Sequence, residues 1–167
     1  MTKNNKTLFR ILKIHFHIFF RKYPSSIFIL KWLFISLVTG ILIGSASAFF
    51  LKSLEWATNF RENNQWIIFL LPLGGFLVGL LYHYYGKDVE KGNNLLIDNL
   101  HHSGKTIPFK MAPFVYIGTI ITHLFGGSAG REGTALQMAA AIADQFSKPF
   151  RLTKDERKIL IIASISA

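Results

Sequence analysis

The stretch Gly126-Gly127-Ser128-Ala129-Gly130-Arg131-Glu132-Gly133-Thr134 decides the fold of this protein, because of what stands on either side of it. Before it, residues 111–125 form an apolar run too short to cross a bilayer as a helix, which takes ~20 residues. After it a second helical run begins, near Thr134, and continues to about residue 147. Irregular, glycine-rich backbone between two short apolar helices is tolerated at membrane depth only where it lines a cavity or is covered by protein. It is the sequence mark of a transporter binding site.

The surroundings agree with a membrane. Of the 167 residues 50% are hydrophobic and only 17% charged, outside the usual balance of a soluble domain. The sixteen Phe, three Trp and five Tyr do not follow the alternation that a membrane β-barrel needs. The fold class is therefore expected to be all-α. Two uncharged runs, 32–51 and 66–85, each have the length of a membrane span. The first is rich in small residues (Gly40, Gly44, Ser45, Ala46, Ser47, Ala48), which predicts a close approach by another helix. The second carries Trp66 at one end and Tyr82, Tyr84 and Tyr85 at the other as interfacial anchors, with Pro72, Gly74, Gly75 and Gly79 inside. Residues 52–65, with Lys52, Glu55, Arg61 and Glu62 in balance, read as a loop on the outer side.

The formal net charge of +10 could suggest nucleic acid, but the basic residues gather at the ends of apolar runs, so no nucleic-acid partner is expected. Residues 1–31 hold seven of them (Lys3, Lys6, Arg10, Lys13, Arg21, Lys22, Lys31) and no acid. The positive-inside rule then puts the N-terminus in the cytoplasm, and the pattern predicts a basic amphipathic helix on that surface. Residues 32–167 form the membrane domain. Within it, broken helices are expected at about 94–100, 111–125 and 134–147, and a further helix from about 154, where Thr153 and Glu156 make a capping box. The apolar run from Ile159 stops at Ala167, so the chain is expected to be a fragment or a truncated product.

The glycine-rich break also suggests a chemistry. An anion crossing hydrocarbon needs partial positive charge without a deep trap, and backbone N–H groups at a helix N-terminus provide it. Around Arg131, Glu132 and Gly133 the backbone can present several such donors. Glu132, when ionised, would compete with the anion for them, and when protonated would leave. One residue thus serves as gate and proton acceptor.

Other readings are weaker. Residues 126–130 satisfy G-x-S-x-G, yet the nucleophile elbow of a soluble hydrolase needs a preceding strand, and no enzyme is expected. A local ion pair between Arg131 and Glu132 is the ordinary fate of adjacent charges. Without cysteine there is no thiolate site, and His83, His101, His102 and His123 lack a ligand spacing, so neither metal nor cofactor is expected. His123 reads as a hydrogen-bonded polar residue within the membrane.

The run Gly130-Arg131-Glu132-Gly133-Thr134, followed by Ala135-Leu136-Gln137-Met138, resembles the G-R-E-G-P anion-site motif of the CLC family of chloride channels and proton-coupled anion antiporters. Phe50-Leu51-Lys52-Ser53-Leu54-Glu55-Trp56 resembles the end of that family's first long membrane helix. The resemblance implies a bundle of tilted, partly discontinuous helices, the first part of an inverted-repeat architecture. It also implies transport of chloride or fluoride coupled to protons, a homodimer and, in a bacterium, the inner membrane. It gives the gating role to Glu132 and anion binding to Gly130, Arg131, Gly133 and Thr134. The family's earlier G-S-G-I-P motif falls on Gly92-Asn93-Asn94-Leu95-Leu96, where Asn93 or Asn94 would supply the polar side chain otherwise given by serine. That change, and Thr134 in place of proline, resemble the fluoride-exporting branch. The family's later anion-site half-helix, pore tyrosine and intracellular proton-path residue would lie beyond Ala167. A non-transporting membrane remnant or adaptor of the same fold is the alternative reading.

Overall fold

The computed structural model describes residues 24–101 and 106–166, and all its regular elements are helical. The surface helix expected at 1–31 lies outside the described residues as far as residue 23. The chain divides between Val38 and Thr39 into two compact units. In the first, residues 24–38 are helical, with the Phe28 and Trp32 rings 6.2 Å apart and the Ser36 hydroxyl donating to the Trp32 carbonyl at 2.6 Å.

The first helix, α1 (Pro24–Asn63, 40 residues), is longer than a single crossing requires. It corrects the expected loop at 52–65. No glycine or proline interrupts residues 45–63, the charged Lys52, Glu55 and Glu62 lie on exposed positions, and Phe50, Leu54 and Ala57 bury one face at helical spacing. Tertiary contact thus carries the helix past its apolar run. It ends at Asn64, whose side chain donates back to the Phe60 carbonyl at 3.0 Å.

A 3-10 turn, Gln65–Leu70, leads into α2 (Leu71–Tyr85). The expected single span at 66–85 is therefore a tight turn followed by an α-helix. Pro72 explains the change: it lacks an N–H and is accommodated in the first turn of α2, where none is needed. Among the described residues, the stretches 28–63 and 65–85 are long and apolar enough to cross a membrane, with mean hydropathy of 2.1 and 1.9. Their exposed Leu, Ile, Phe and Trp side chains suit a lipid or protein covering rather than water.

Four shorter helices follow: α3 (Asn93–His101), α4 (Met111–Leu124), α5 (Arg131–Asp144) and α6 (Lys154–Ile165). The helix expected from Thr134 starts at Arg131, because Gly130 is extended (φ −71°, ψ 111°) and its carbonyl already accepts the Thr134 N–H at 3.2 Å. The capping box is present at α6: Thr153 Oγ1 accepts from the Glu156 N–H at 3.3 Å, and Glu156 Oε2 accepts from the Thr153 N–H at 2.8 Å.

α5 packs against both α4 and α6. Its Ala139, Ala140, Ala141 and Ala143 are buried, and such small side chains let neighbouring backbones come close. The core joins Phe50 and Leu54 of α1 to Leu96, Met111, Val115, Met138 and Ile161. Tyr116 of α4 ties in α1 as well, stacking on Phe49 at 5.7 Å and donating its hydroxyl to Ser53 Oγ at 2.7 Å. Of the small residues expected to meet a neighbour, Ala46 packs against the core, but Gly40 and Gly44 do not take part: a Cβ at either would meet nothing within 4 Å. Close approach at a glycine falls instead at Gly74, where a Cβ would lie 2.4 Å from the Phe125 ring, and at Gly127, where it would lie 2.7 Å from Thr122. The reason is positional, since these glycines face the turn between α4 and α5 while Gly40 and Gly44 lie on an exposed face of α1.

Two helix starts and the cavity between them

The turn from α4 to α5 needs glycine at one position in particular, Gly126, whose φ of +85° an L side chain rarely adopts. The chain then straightens through Gly130 into α5. Because the N-cap residue is glycine, no side chain caps the helix. The N–H groups of Arg131, Glu132 and Gly133 belong to the first turn, where no intrahelical carbonyl is available, and the helix dipole adds partial positive charge at the same end. Glu132 sits in that first turn with an exposed side chain. Among the described residues Arg131 and Glu132 form no ion pair with each other, so the local pairing considered from sequence is absent.

A second helix start meets the first. Gly92, at φ +54°, turns the chain into α3, whose first residue is Asn93. Asn93 Nδ2 lies 3.5 Å from where a Cβ on Gly133 would be, and Asn93 Oδ1 accepts a hydrogen bond from Gln137 Nε2 at 2.8 Å. Of the residues singled out in the sequence, Gly130, Gly133, Thr134 and Asn93 come together here, with Arg131 and Glu132 on the exposed side of the same turn. Asn94 does not join them: it is exposed, and its backbone N–H closes a turn to the Lys91 carbonyl.

Behind the two helix starts is an open cavity of about 340 Å³. Its polar lining includes Tyr82, Glu90, Thr119, Thr122, Thr134 and Gln137. The buried hydroxyls of Thr119 and Thr134 are 2.7 Å apart, and Thr134 also donates to the Gly130 carbonyl at 3.1 Å. With its one proton given to Gly130, Thr134 accepts from Thr119. Thr122 donates to the Gly118 carbonyl at 2.7 Å. Sequence reasoning missed Thr119, Thr122 and Gln137, although Thr119 and Thr122 share a face of α4 at i, i+3 spacing. The groups are donors and acceptors of hydrogen bonds, with the single carboxylate of Glu90 among them, so the arrangement can desolvate and hold a small polar species but offers no nucleophile–base pair. Ser128 lies between two helices, with no strand before it. Among the described residues no group of three His, Asp or Glu side chains could hold a metal ion.

His123 meets its expected state on one side only: it has a backbone hydrogen bond with Ala129, while its Nε2 is buried with no hydrogen-bond partner.

A second polar cluster holds the far end of α5. The Asp144 carboxylate, fully buried, accepts from Arg157 Nε at 2.6 Å and Nη2 at 2.7 Å, from the Ile107 N–H at 2.6 Å and from Ser147 Oγ at 2.7 Å. Arg157 Nη2 reaches Asn99 Oδ1 of α3 at 3.4 Å, and Gln145 Nε2 donates to the Ile107 carbonyl at 2.9 Å. One ion pair thus links α3, α5, α6 and the segment before α4. A lone acid at the end of an alanine-rich run was the available signal for it.

The profile of the voltage gated chloride channel family matches residues 74–167, which takes in α3 to α6, most of α2 and both helix starts. The chain belongs to this family. It is 52% identical over 140 residues to the chloride/fluoride channel protein of Pseudomonas syringae pv. tomato, covering 84% of this chain and 31% of that protein. An uncharacterized protein of Methanocaldococcus jannaschii is 28% identical over 139 residues, covering 83% of this chain and 33% of the relative. The solved structure of a CLC-type fluoride/proton antiporter superposes with a TM-score of 0.73 at 39% identity, over 78% of this chain and 33% of that one. The chain therefore spans about one third of the length of the relatives it matches. The fold is all-α and CLC-type. Members of the family are integral membrane channels and transporters of anions rather than enzymes in the usual sense.

Proposed function

We propose that the protein moves fluoride or chloride across the membrane in exchange for protons, with Glu132 as gate and proton acceptor. The observation that carries this reading is the start of α5: a glycine N-cap leaves the first-turn N–H groups without a side-chain acceptor, and a carboxylate stands in that same turn. Ionised, Glu132 holds these donors itself. Protonated, it withdraws, and the N–H groups of Arg131, Glu132 and Gly133 become available to an anion. Gly130 shapes the entry, the Arg131 guanidinium adds positive charge at the mouth, and Asn93 contributes an amide N–H from the opposing helix start. Thr134 lines the cavity behind. The 52% identical relative named for chloride and fluoride and the fluoride/proton antiporter of the same fold support the choice of ions and the coupling.

In this reading the protein sits in the bacterial inner membrane with its basic N-terminus in the cytoplasm, and acts as a homodimer. The test is efflux from liposomes carrying the complete protein, with fluoride and chloride compared while proton movement is recorded. Glu132→Gln should abolish the proton flux. Proton movement unchanged by that substitution would remove Glu132 from the gate, and chloride leaving as fast as fluoride would return the protein to the chloride carriers.

A further inference from the structure

An asparagine at an anion site carries an ambiguity that the anion itself does not tolerate. One end of its amide donates hydrogen bonds and the other only accepts them, and a half-turn about the last side-chain torsion exchanges the two. With Nδ2 forward, Asn93 attracts an anion; with Oδ1 forward it repels one. Something must decide between them.

The deciding contact is Gln137. It lies on α5, five residues after Glu132, and its Nε2 donates to Asn93 Oδ1 at 2.8 Å. An oxygen held by that donor is turned away, and Nδ2 is left toward Gly133, 3.5 Å from the position of a Cβ there. Gly92, at φ +54°, sits beside this contact: a Cβ on it would stand 3.6 Å from Gln137 Nε2, an ordinary van der Waals distance. Gln137 also lines the cavity with Thr119, Thr122 and Thr134, so it reaches Asn93 from the cavity side.

We propose that Gln137 is a positioning residue for anion binding: its side-chain N–H captures Asn93 Oδ1 and so presents the Asn93 amide N–H, not its carbonyl, to the anion at the start of α5. The inference rests on the reading of Asn93 as an anion contact given under the proposed function. It adds that the donor face of Asn93 is set by a residue that need not touch the ion.

The experiment is a double-mutant cycle on fluoride efflux from liposomes carrying the complete protein, with rates taken over a range of fluoride concentrations to separate apparent KM from maximal rate. Gln137→Glu keeps the shape but can only accept, so Asn93 should turn its Nδ2 to residue 137 and its Oδ1 to the anion. Apparent KM should rise roughly tenfold, as expected for one misplaced hydrogen bond. Gln137→Met, uncharged and of similar length, removes the donor without reversing the amide and should raise KM by a smaller factor, about threefold. In an Asn93→Ala background neither substitution should change KM by more than about twofold, because the group they act through is gone.

Effects that persist in that background would overturn the proposal, and would show that Gln137 acts through packing or, for the glutamate, through its charge. Unchanged KM in both Gln137 variants, with Asn93→Ala impaired, would overturn this inference alone. Unchanged KM in Asn93→Ala would overturn the role of Asn93 and the inference with it.

Discussion

Removing either side chain of the buried Asp144–Arg157 pair should destabilise the protein strongly, and Arg157 is the cleaner of the two to remove. Asp144 is fully buried, and two of its four hydrogen bonds come from the guanidinium. Arg157→Met preserves the length of the side chain but leaves a carboxylate enclosed with only the Ile107 N–H and the Ser147 hydroxyl. Breaking one side of a buried ion pair costs about 3–5 kcal/mol, mostly for the charge left behind. For a chain of this size that corresponds to a Tm lower by roughly 6–20 °C. Asp144→Leu should cost a similar ~3–5 kcal/mol, since the guanidinium is then stranded. The double variant Arg157→Met with Asp144→Leu buries no unpaired charge. Its remaining penalties are the lost acceptors of the Ile107 N–H, about 1–3 kcal/mol, and of the Ser147 hydroxyl, which can turn elsewhere more cheaply, so it should lose less than the two single variants together. Circular dichroism at the helical band, followed against temperature in detergent, gives the three values. If the double variant loses as much as the two single ones together, or if either single variant melts with the wild type, the pair is not the lock described here.

Two further substitutions probe the frame of the site. Gly74→Ala places a Cβ 2.4 Å from the Phe125 ring, which has to shift, and should cost about 1–3 kcal/mol as an overpacked contact; the same melting experiment reads it against Gly75→Ala, whose Cβ meets nothing and which reports the gain in helix propensity alone. Thr153→Ala removes the hydroxyl half of the α6 capping box and should lower stability by about 1 kcal/mol, while Thr153→Ser, which restores an acceptor, should recover most of the loss.

What the sequence discloses and what it hides divide along the range of the interactions. The capping box at Thr153 and Glu156 is legible because three residues contain all of its chemistry, and the turn between α4 and α5 because glycine there has few other uses. The continuation of α1 to Asn63 is not legible: the charges at Lys52, Glu55 and Glu62 resemble a loop until Phe50, Leu54 and Ala57 are seen to be covered by other helices. The Asp144 cluster is hidden for the same reason. Its donors come from Ile107, 37 residues earlier, and Arg157, 13 residues later, and no local pattern couples them. At the candidate site, the run 130–134 announces itself by composition. The part proposed for Gln137 depends on Asn93, 44 residues away, and only the fold brings them into contact.

Gly130 has a consequence for how variation at this site would be perceived. Its φ of −71° suits any residue, and a Cβ there would meet nothing within 4 Å, so neither strain nor crowding asks for glycine. An aspartate or serine would be a better N-cap by only a few tenths of a kcal/mol. Such a change would fold, express and melt as the wild type does. Under the proposed mechanism it would nevertheless fasten a tethered oxygen to the donors assigned to the mobile ion, turning the protein into its own competitive inhibitor, invisible to every screen that scores stability.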